Sequence, residues 1–333
     1  MEIEARHYER AAEGKVRCLL CPHLCVVARG RRGKCGVRMN RDGRLVSMIY
    51  GEISSEGLDP IEKKPLYHFC PGSLIYSVGT VGCSFTCRFC QNHAISQDPG
   101  YPTRFRSAGD LSEVARGLGS VGIAYTYSEP LVWFEYVLDA CAEARRRGLK
   151  NVLVTNGYVN PEPLKELLPS VDAFNIDLKS YSEDFYKKIV GGRLEPVLGT
   201  ITEVARHAGV HLEVTTLVIP GFNDGAEEME RIADFLASLR RDIPLHLSAY
   251  FPRYRFDAPP TPAATLEKLR EVAARKLDHV YLGNVAGESN TYCSKCGGLL
   301  VERRGYAVRL SLLHRGKCAR CGAPAPIYCS DSS

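Results

Sequence analysis

Three cysteines lie close together in a spacing that can hold iron. Cys83, Cys87 and Cys90 form a C-x3-C-x2-C run soon after the apolar segment Leu74–Val78. A [4Fe–4S] cluster has four irons and usually takes four thiolates. Three nearby thiolates therefore leave one iron open to a small molecule. The alternative is a structural zinc knuckle with a distant fourth ligand, and the spacing alone does not choose between the two.

Two further cysteine groups lie near the ends of the chain. The C-terminal group has two C-x2-C pairs, each followed by glycine, and consists of Cys293, Cys296, Cys318 and Cys321. Two such turns across a short hairpin predict a zinc-ribbon or rubredoxin-like site that holds zinc or iron, and we favour structural zinc. Cys329 is left over, and we expect it to be a free thiol.

The N-terminal group has a less regular spacing. It consists of Cys18, Cys21, Cys25 and Cys35. These residues could bind zinc, which would pin this segment over the rest of the protein, or an auxiliary iron–sulfur cluster, which could relay electrons. The sequence leaves both possibilities open.

Composition and charge limit the class of protein. The chain has 333 residues and 14 cysteines, no apolar run long enough for a membrane span and a charged N-terminus without a secretory signal. We therefore expect metal-binding cysteines in the reducing cytoplasm rather than disulfides. The net charge of +5 is concentrated in residues 1–50 and 289–333. We interpret these basic ends as compensation for clustered thiolates and expect no nucleic-acid or membrane partner.

Residues 51 to about 288 alternate between short apolar segments and helical patterns, which predicts repeated βα units and a parallel sheet. Helical periodicity covers residues 131–147, 161–168, 226–239 and 262–276, and Asp110 is the predicted N-cap of another helix. The predicted strands are Leu74–Val78, Gly122–Tyr125, Asn151–Val154, Ala173–Ile176, Leu212–Val218, Leu245–Ala249 and Val280–Leu282.

Polar and glycine-rich motifs follow these strands in turn. After the cysteine run come Tyr127-Ser128-Glu129-Pro130, Thr155-Asn156-Gly157, Asp177-Leu178-Lys179 and Pro220-Gly221-Phe222-Asn223-Asp224, with His246 in the sixth strand. The C-terminal strand ends of a βα barrel converge on one face and build the active site, and a doubly wound sheet also binds ligands there. The positions of these motifs at the ends of successive strands argue against an isolated zinc knuckle.

Together these motifs resemble the radical SAM superfamily, and within it the pyruvate formate-lyase activating enzymes. The more similar subgroup is the radical SAM enzyme of the AmmeMemoRadiSam system. The resembling segments include CLLCPHLCVVARGRRGKCGVR, GTVGCSFTCRFCQNHAISQ, AYTYSEPLVWFEY, VTNGY, FNIDLKSY and VTTLVIPGFND. Composition and pattern divide the chain into a Cys-rich cap at 1–50, a βα domain at 51–288 and the zinc-ribbon-like tail at 289–333. The resemblance implies that the α/β middle domain is a partial (β/α)6 TIM-type barrel. It also implies a [4Fe–4S] cluster and S-adenosylmethionine (SAM).

The resemblance assigns roles to individual residues. Cys83, Cys87 and Cys90 would ligate three irons, and Phe89 would lie near the adenine of SAM. The segment Tyr127, Ser128 and Glu129 occupies the place of a Gly-Gly-Glu motif whose backbone holds the methionine amino group. Thr155 and Asn156 would approach the methionyl carboxylate or the ribose. Asp177 and Lys179 match a D-x-K motif in which the lysine meets the SAM carboxylate and the aspartate helps to hold a cation or the substrate.

Some positions depart from the activating enzymes. Ala249 stands where an arginine is common, and the strand before Pro220 also lacks an arginine. These departures weaken a glycyl-radical role. His246 is a candidate substrate-binding residue.

The expected function is that of a radical SAM enzyme that uses a 5′-deoxyadenosyl radical on a protein or metabolite. A glycyl-radical activating enzyme is the alternative within the class, and a zinc-binding scaffold or RNA-binding protein is the alternative outside it. Expected partners are a reductant such as ferredoxin or flavodoxin and, from the resemblance, Memo-type and AMMECR-type proteins.

Overall fold

The computed structural model describes residues 1–328, so that Cys329 lies outside the described residues. The strands are β1 (Ile3–Glu4), β2 (Tyr8–Arg10), β3 (Val16–Cys18), β4 (Val26–Val27), β5 (Arg38–Arg41), β6 (Arg44–Ser47), β7 (Glu52–Ile53), β8 (Ser55–Pro60), β9 (Leu74–Gly79), β10 (Arg104–Phe105), β11 (Gly122–Tyr125), β12 (Lys150–Thr155), β13 (Ala173–Asp177), β14 (His211–Val218), β15 (Leu245–Ala249), β16 (Val280–Gly283), β17 (Thr291–Tyr292), β18 (Leu299–Arg304), β19 (Ala307–Leu310), β20 (Leu313–His314) and β21 (Lys317–Cys318). The α-helices are α1 (His93–Ser96), α2 (Ala108–Gly117), α3 (Phe134–Arg146), α4 (Pro161–Leu167), α5 (Glu183–Phe185), α6 (Leu194–Arg206), α7 (Ala226–Leu239) and α8 (Ala263–Ala274).

The central sheet has eight strands in the order β16-β15-β14-β13-β12-β11-β9-β8. Strand β8 runs antiparallel to β9, and all the other neighbours are parallel. All seven predicted strands are present in the predicted order. Because β8 and β16 form the two edges and do not pair with each other, the α/β fold is an open, partial barrel, as expected. Strands such as β11 are buried throughout, which explains their uninterrupted apolar sequence.

The helices differ from the sequence prediction in two places. Helix α2 begins at Ala108, and its N-cap is Ser107, whose Oγ accepts the backbone N–H of Asp110 at 3.1 Å. The prediction of Asp110 as the N-cap is therefore wrong, because Ser107 has the extended backbone and the hydroxyl that this position requires. Helix α6 was not predicted, although its buried face packs on the sheet.

The N-terminal cap is built from the small antiparallel sheets β1-β6-β5 and β2-β3-β4, whereas the pair β7-β10 lies outside residues 1–50. The cap is joined to the barrel by buried polar contacts. Arg38 of β5 forms an ion pair with Glu135 of α3 at 2.6 Å, and both side chains are buried. Trp133 Nε1 donates to the Ile49 carbonyl at 2.5 Å. The cap thus lies directly against the first part of α3.

The C-terminal tail forms the sheet β17-β18-β19 and the pair β20-β21. Buried Arg303 of β18 donates to the Tyr67 carbonyl at 2.5 Å, and Tyr328 N–H donates to the His68 carbonyl at 2.7 Å. These bonds hold the tail to the β8–β9 connection. The domain boundaries at residues 50 and 288 stay a prediction. In the described residues 1–328, no helix combines the length and the apolar character that a bilayer span requires.

Candidate active site

A cavity of about 380 Å³ opens at the carboxyl ends of the parallel strands. Its wall includes eleven residues expected around the cluster and SAM: Cys83, Cys87, Phe89, Cys90, Tyr127, Ser128, Glu129, Thr155, Asn156, Asp177 and Lys179. They come from the carboxyl ends of β12 and β13 and from the segments that follow β9, β11, β12 and β13. Parallel strands bring these distant segments together because their carboxyl ends meet on one face.

The cysteine loop after β9 is held by main-chain hydrogen bonds. Thr86 N–H donates to the Val190 carbonyl at 2.9 Å, and Arg88 N–H donates to the Ile189 carbonyl at 3.1 Å. This close approach needs glycine at Gly191, which has φ of 83° and whose absent Cβ would lie 2.3 Å from Thr86 Oγ1. The loop conformation that turns the three thiols toward the cavity is thus set by packing against residues 189–191.

Donor groups surround the sulfurs. The Phe85 N–H lies 3.3 Å from Cys83 Sγ, and Asn156 Nδ2 lies 3.6 Å from the same sulfur. Burial raises the pKa of the Cys87 thiol to about 12, although the nearby Lys179 ammonium acts in the opposite direction. A bare thiolate is therefore disfavoured here, and a bound iron would supply the compensating charge.

Lys179 and Asp177 form an ion pair at the end of β13, with 2.9 Å between Nζ and Oδ2. Burial opposes the charge of Lys179, but the Asp177 carboxylate and the Cys87 sulfur outweigh it and hold the lysine pKa above its usual range. The Lys179 side chain also lies 6.0 Å from the centre of the Phe89 ring. The site therefore contains a permanent cation beside the cysteine loop.

Glu129 connects two strand ends. Its carboxylate accepts hydrogen bonds from Thr155 Oγ1 at 2.6 Å, Asn156 N–H at 2.8 Å and Leu131 N–H at 2.9 Å. Burial raises the pKa of Glu129 to about 7, and these three hydrogen bonds act against the increase. Since its oxygens are already engaged, Glu129 orients the segments after β11 and β12.

Tyr127 and Ser128 form the wall where the related motif has glycines. Tyr127 has φ of 67°, a conformation that glycine adopts without strain. Its hydroxyl donates to Asp59 Oδ2 at 2.7 Å, and Lys64 Nζ donates to the same oxygen at 2.8 Å. Ser128 Oγ is buried in the cavity wall and has no hydrogen-bond partner within the described chain.

Several residues of this cavity were missed by the sequence analysis. Lys63 and Lys64 reach it from the β8–β9 connection, and Ser248 and Asn284 reach it from the ends of β15 and β16. The basic pair in the segment DPIEKKPLYHF was a signal, but no strand was predicted at β8 to direct it toward the site.

His246 is placed differently from the other candidates. It does not line this cavity, and its Nε2 lies 2.6 Å from Oε2 of the buried Glu213. His211 Nε2 lies 2.9 Å from the other oxygen of Glu213. The structure therefore puts His246 in a buried polar network inside the barrel, apart from the residues expected around SAM.

The C-terminal cysteines form a compact group. The sulfurs of Cys293, Cys296, Cys318 and Cys321 all lie within 4.8 Å of one another, and two of the sulfur pairs are 3.7 Å apart. Gly297 and Gly322 adopt positive φ in the turns that follow the pairs. This donor set can hold one tetrahedral metal ion, zinc or iron. The N-terminal cysteines, Cys18, Cys21, Cys25 and Cys35, line a separate cavity between the cap and the barrel.

Known proteins share both the sequence and the fold. The sequence model of the Radical SAM superfamily matches residues 77–236. The chain is 43% identical over 328 residues to the uncharacterized protein MJ0808 of Methanocaldococcus jannaschii. This alignment covers 96% of this chain and 97% of that protein. It is 21% identical to a pyruvate formate-lyase-activating enzyme of Clostridium pasteurianum, over 51% of this chain and 72% of that enzyme.

Shorter matches extend this relationship. The isethionate sulfite-lyase activating enzyme of Oleidesulfovibrio alaskensis is 28% identical over 37% of this chain and 40% of its own length. The solved structure of Streptococcus suis SuiB bound to precursor peptide SuiA has a TM-score of 0.52 and 14% identity, over 68% of this chain and 51% of SuiB. The likeness to SuiB concerns the fold alone.

The chain belongs to the radical SAM superfamily. It is a radical SAM enzyme with sequence similarity to the pyruvate formate-lyase activating enzymes. These relationships decide against the scaffold and RNA-binding alternatives. Membership in the AmmeMemoRadiSam subgroup stays a prediction.

The superfamily implies an iron–sulfur cluster and SAM, and the residues present fit both. Three thiols that could ligate iron lie in one cavity wall, with N–H donors near Cys83. The Lys179 cation lies in the same wall, where it suits the carboxylate of a ligand.

Proposed function

We propose that this enzyme cleaves SAM reductively at a [4Fe–4S] cluster ligated by Cys83, Cys87 and Cys90. The resulting 5′-deoxyadenosyl radical abstracts hydrogen from a protein or metabolite substrate. The proposal rests on one observation: the three thiols share a single cavity with the residues expected around SAM. With both cofactors bound, the cluster supplies an electron to the sulfonium, a reaction that side chains alone cannot perform. The volume of about 380 Å³ is suitable for a small molecule.

In this proposal the side chains bind and orient SAM. Lys179 pairs with the methionyl carboxylate, and Asp177 holds the lysine in position through their 2.9 Å contact. Thr155 and Asn156 approach the carboxylate or ribose and are oriented by Glu129. The buried ring of Phe89 lies beside the adenine. A fixed cation and preorganised donors reduce the reorganisation that SAM binding requires.

The substrate enters at the strand ends opposite the cysteine loop. Ser248 of β15 and Asn284, which follows β16, line the cavity there. Ala249 is fully buried and presents no side chain to a substrate. We therefore favour a substrate other than a glycyl-radical enzyme. Glycyl-radical activation is the second candidate, because several relatives are activating enzymes.

The proposal includes partners and a location. A ferredoxin or flavodoxin supplies the electron in the cytoplasm. Memo-type and AMMECR-type proteins act with the enzyme. The resemblance to the AmmeMemoRadiSam enzyme supports this part of the proposal.

The test is SAM cleavage by anaerobically reconstituted protein. Incubation with dithionite and SAM should give 5′-deoxyadenosine, measured by chromatography and mass spectrometry. Cys87→Ala should abolish the product. Cys141→Ala is the matched control, because Cys141 is a buried cysteine of α3 outside all three cysteine groups. Product formation by Cys87→Ala at the wild-type rate would overturn the proposal.

Candidate substrates are then distinguished by isotope transfer. Deuterated proteins or metabolites are offered one at a time, and the deuterium content of 5′-deoxyadenosine is measured. The true substrate transfers its label, whereas a bystander leaves the nucleoside unlabelled.

A further inference from the structure

We propose that Cys18, Cys21, Cys25 and Cys35 hold a second, polynuclear iron–sulfur cluster at the junction of the cap and the barrel. The proposal concerns these four cysteines and does not depend on SAM cleavage. All four line one cavity, whose apolar wall includes Leu131 and Tyr158 of the barrel.

A main-chain N–H is directed at one of the four sulfurs. The Lys34 N–H lies 3.4 Å from Cys25 Sγ. Hydrogen bonds of this kind favour the thiolate form and surround metal-bound sulfur. A cavity lined by four thiols, one of which accepts a main-chain hydrogen bond, is therefore suited to a metal centre.

A buried cation faces this centre. Arg38 is 1% exposed and lines the cavity. Its Nη2 donates to Glu135, whereas its Nε and Nη1 have no partner within the described residues. Unpaired buried donors are costly, and Glu135 already balances one positive charge. Four thiolates around a dipositive metal core carry a net charge of −2, so this centre would attract the two remaining donors of Arg38.

The spacing of the sulfurs distinguishes a cluster from a single ion. Around one zinc, Zn–S bonds of about 2.3 Å place the four sulfurs close together. The C-terminal group has this arrangement, with all four sulfurs within 4.8 Å of one another. Among residues 1–328, no three sulfurs of the N-terminal group form such a compact set, and the same is true of Cys83, Cys87 and Cys90. In a cluster each thiolate binds a different iron, which keeps the sulfurs farther apart.

The two cysteine loops are in direct contact. His23 Nε2 lies 2.7 Å from the carbonyl oxygen of Ser84, the neighbour of Cys83. A Cβ on Gly82 would lie 2.7 Å from the Cys35 carbonyl oxygen, so only glycine permits this approach. The loop of the N-terminal cysteines therefore packs directly against the loop that carries Cys83, Cys87 and Cys90.

The decisive experiment removes the SAM cluster and counts what remains. The variant with Cys83, Cys87 and Cys90 all changed to alanine is reconstituted anaerobically with ⁵⁷Fe and sulfide, then analysed for iron, acid-labile sulfide and zinc and by Mössbauer spectroscopy. We expect about four irons and four sulfides per chain to remain. A protein without sulfide that holds two zinc ions would overturn the inference. Iron in the C-terminal group would appear as a mononuclear site without sulfide.

A second pair of variants locates the cluster. In the otherwise wild-type chain, the double change Cys18→Ala and Cys35→Ala should halve the sulfide content, while Cys141→Ala leaves it unchanged. Circular dichroism shows whether the double variant folds. If it does not fold, the iron and sulfide count on the triple-alanine protein still tests the inference. Full sulfide content in a folded double variant would also overturn the inference. Loss of SAM cleavage with the second cluster intact would contradict only the proposed function.

Discussion

The Tyr127 hydroxyl donates a hydrogen bond to Asp59 Oδ2 at 2.7 Å and so ties the segment after β11 to the edge strand β8. Lys64 donates to the same oxygen at 2.8 Å, and its Nζ lies 4.6 Å from the centre of the Tyr127 ring. Asp59 is partly buried, which favours its neutral form, but these two donors outweigh burial and hold the pKa of its carboxyl below the usual range. The wall that replaces the related glycines is therefore braced by Asp59 of β8 and by Lys64.

The first prediction removes this brace without changing the ring. Tyr127→Phe should lower the free energy of unfolding by about 1 kcal/mol, because one hydrogen bond to a charged acceptor is lost while Lys64 remains. SAM affinity should change little, since the ring still forms the wall. Urea unfolding measures the first quantity and titration calorimetry the second. Tyr306→Phe, at an exposed tyrosine, is the control and should leave both unchanged. A large loss of SAM affinity in Tyr127→Phe would show that the hydroxyl itself contacts SAM.

The second prediction concerns the cation of the site. Lys179→Met should weaken SAM binding by about tenfold or more, because a charge-assisted hydrogen bond is worth about 1.5–3 kcal/mol. The double variant Lys179→Met with Asp177→Asn separates the lost cation from the unpaired carboxylate that the single change leaves behind. Calorimetry on the iron-loaded, unreduced enzyme measures the affinity.

Lys188→Met is the matched control for this experiment. Lys188 forms an exposed i,i+4 ion pair with Asp184 at 2.7 Å, and such pairs contribute little. Its SAM affinity should equal that of the wild type. Wild-type affinity in both Lys179 variants would contradict the assigned role.

The third prediction concerns metal removal from the tail. Stripping the metal from Cys293, Cys296, Cys318 and Cys321 should expose the amides of β18 and β19 to hydrogen exchange by about a hundredfold or more, because small metal domains draw their folding free energy from the metal. The amides of β12 and β13 should remain protected, since they belong to the main core. Mass spectrometry of exchanged peptides makes the comparison. Unchanged protection in the stripped tail would mean that the metal is not structural.

The fourth prediction concerns acid sensitivity at His68. This side chain is fully buried, and its Nε2 lies 2.6 Å from the Tyr281 hydroxyl. Burial and then the neighbouring His279 hold the pKa of His68 well below its usual value. The unfolded chain therefore takes up a proton more readily than the folded one as the pH falls below about 6.5. Stability from this residue is present above that pH and is lost below it.

The comparison between variants isolates this effect. Between pH 7.5 and pH 5.5 the wild type should lose about 1.4 kcal/mol more unfolding free energy than His68→Gln, because one pH unit below the unfolded pKa corresponds to that amount. His314→Gln, at an exposed histidine of the tail, should follow the wild type. Identical pH profiles for the wild type and His68→Gln would contradict the prediction.

Much of the fold was predictable because buried parallel strands have a distinctive sequence. Segments such as β11 are short apolar runs, and a polar motif follows soon after. Helix α6 was missed although it is amphipathic, and β8 was missed because its partly buried residues, SEGLDP, lack an apolar run. A strand of this kind is stabilised by pairing with β9, which local sequence does not reveal.

The residues of the candidate site also include some that the sequence revealed and some that it did not. Motifs with chemistry-bearing residues directly after strands, such as Cys83 and Lys179, were found from the chain alone, because strand polarity determines on which face they lie. Ser248 and Asn284 were missed as cavity residues because single polar residues carry no such signal. His246 was selected by its side chain, but its orientation toward Glu213 depends on the interior packing of the barrel.

The linear sequence was enough to determine the class of enzyme, the parallel sheet and the three cysteine groups, since spacing and hydrophobic pattern are local properties of the chain. The distances between sulfurs and the placement of Arg38 beside the N-terminal group were decided only by the tertiary structure. Both depend on contacts between segments far apart in sequence. A cysteine spacing therefore shows that a metal can bind, and the surrounding fold decides how far apart the sulfurs are held.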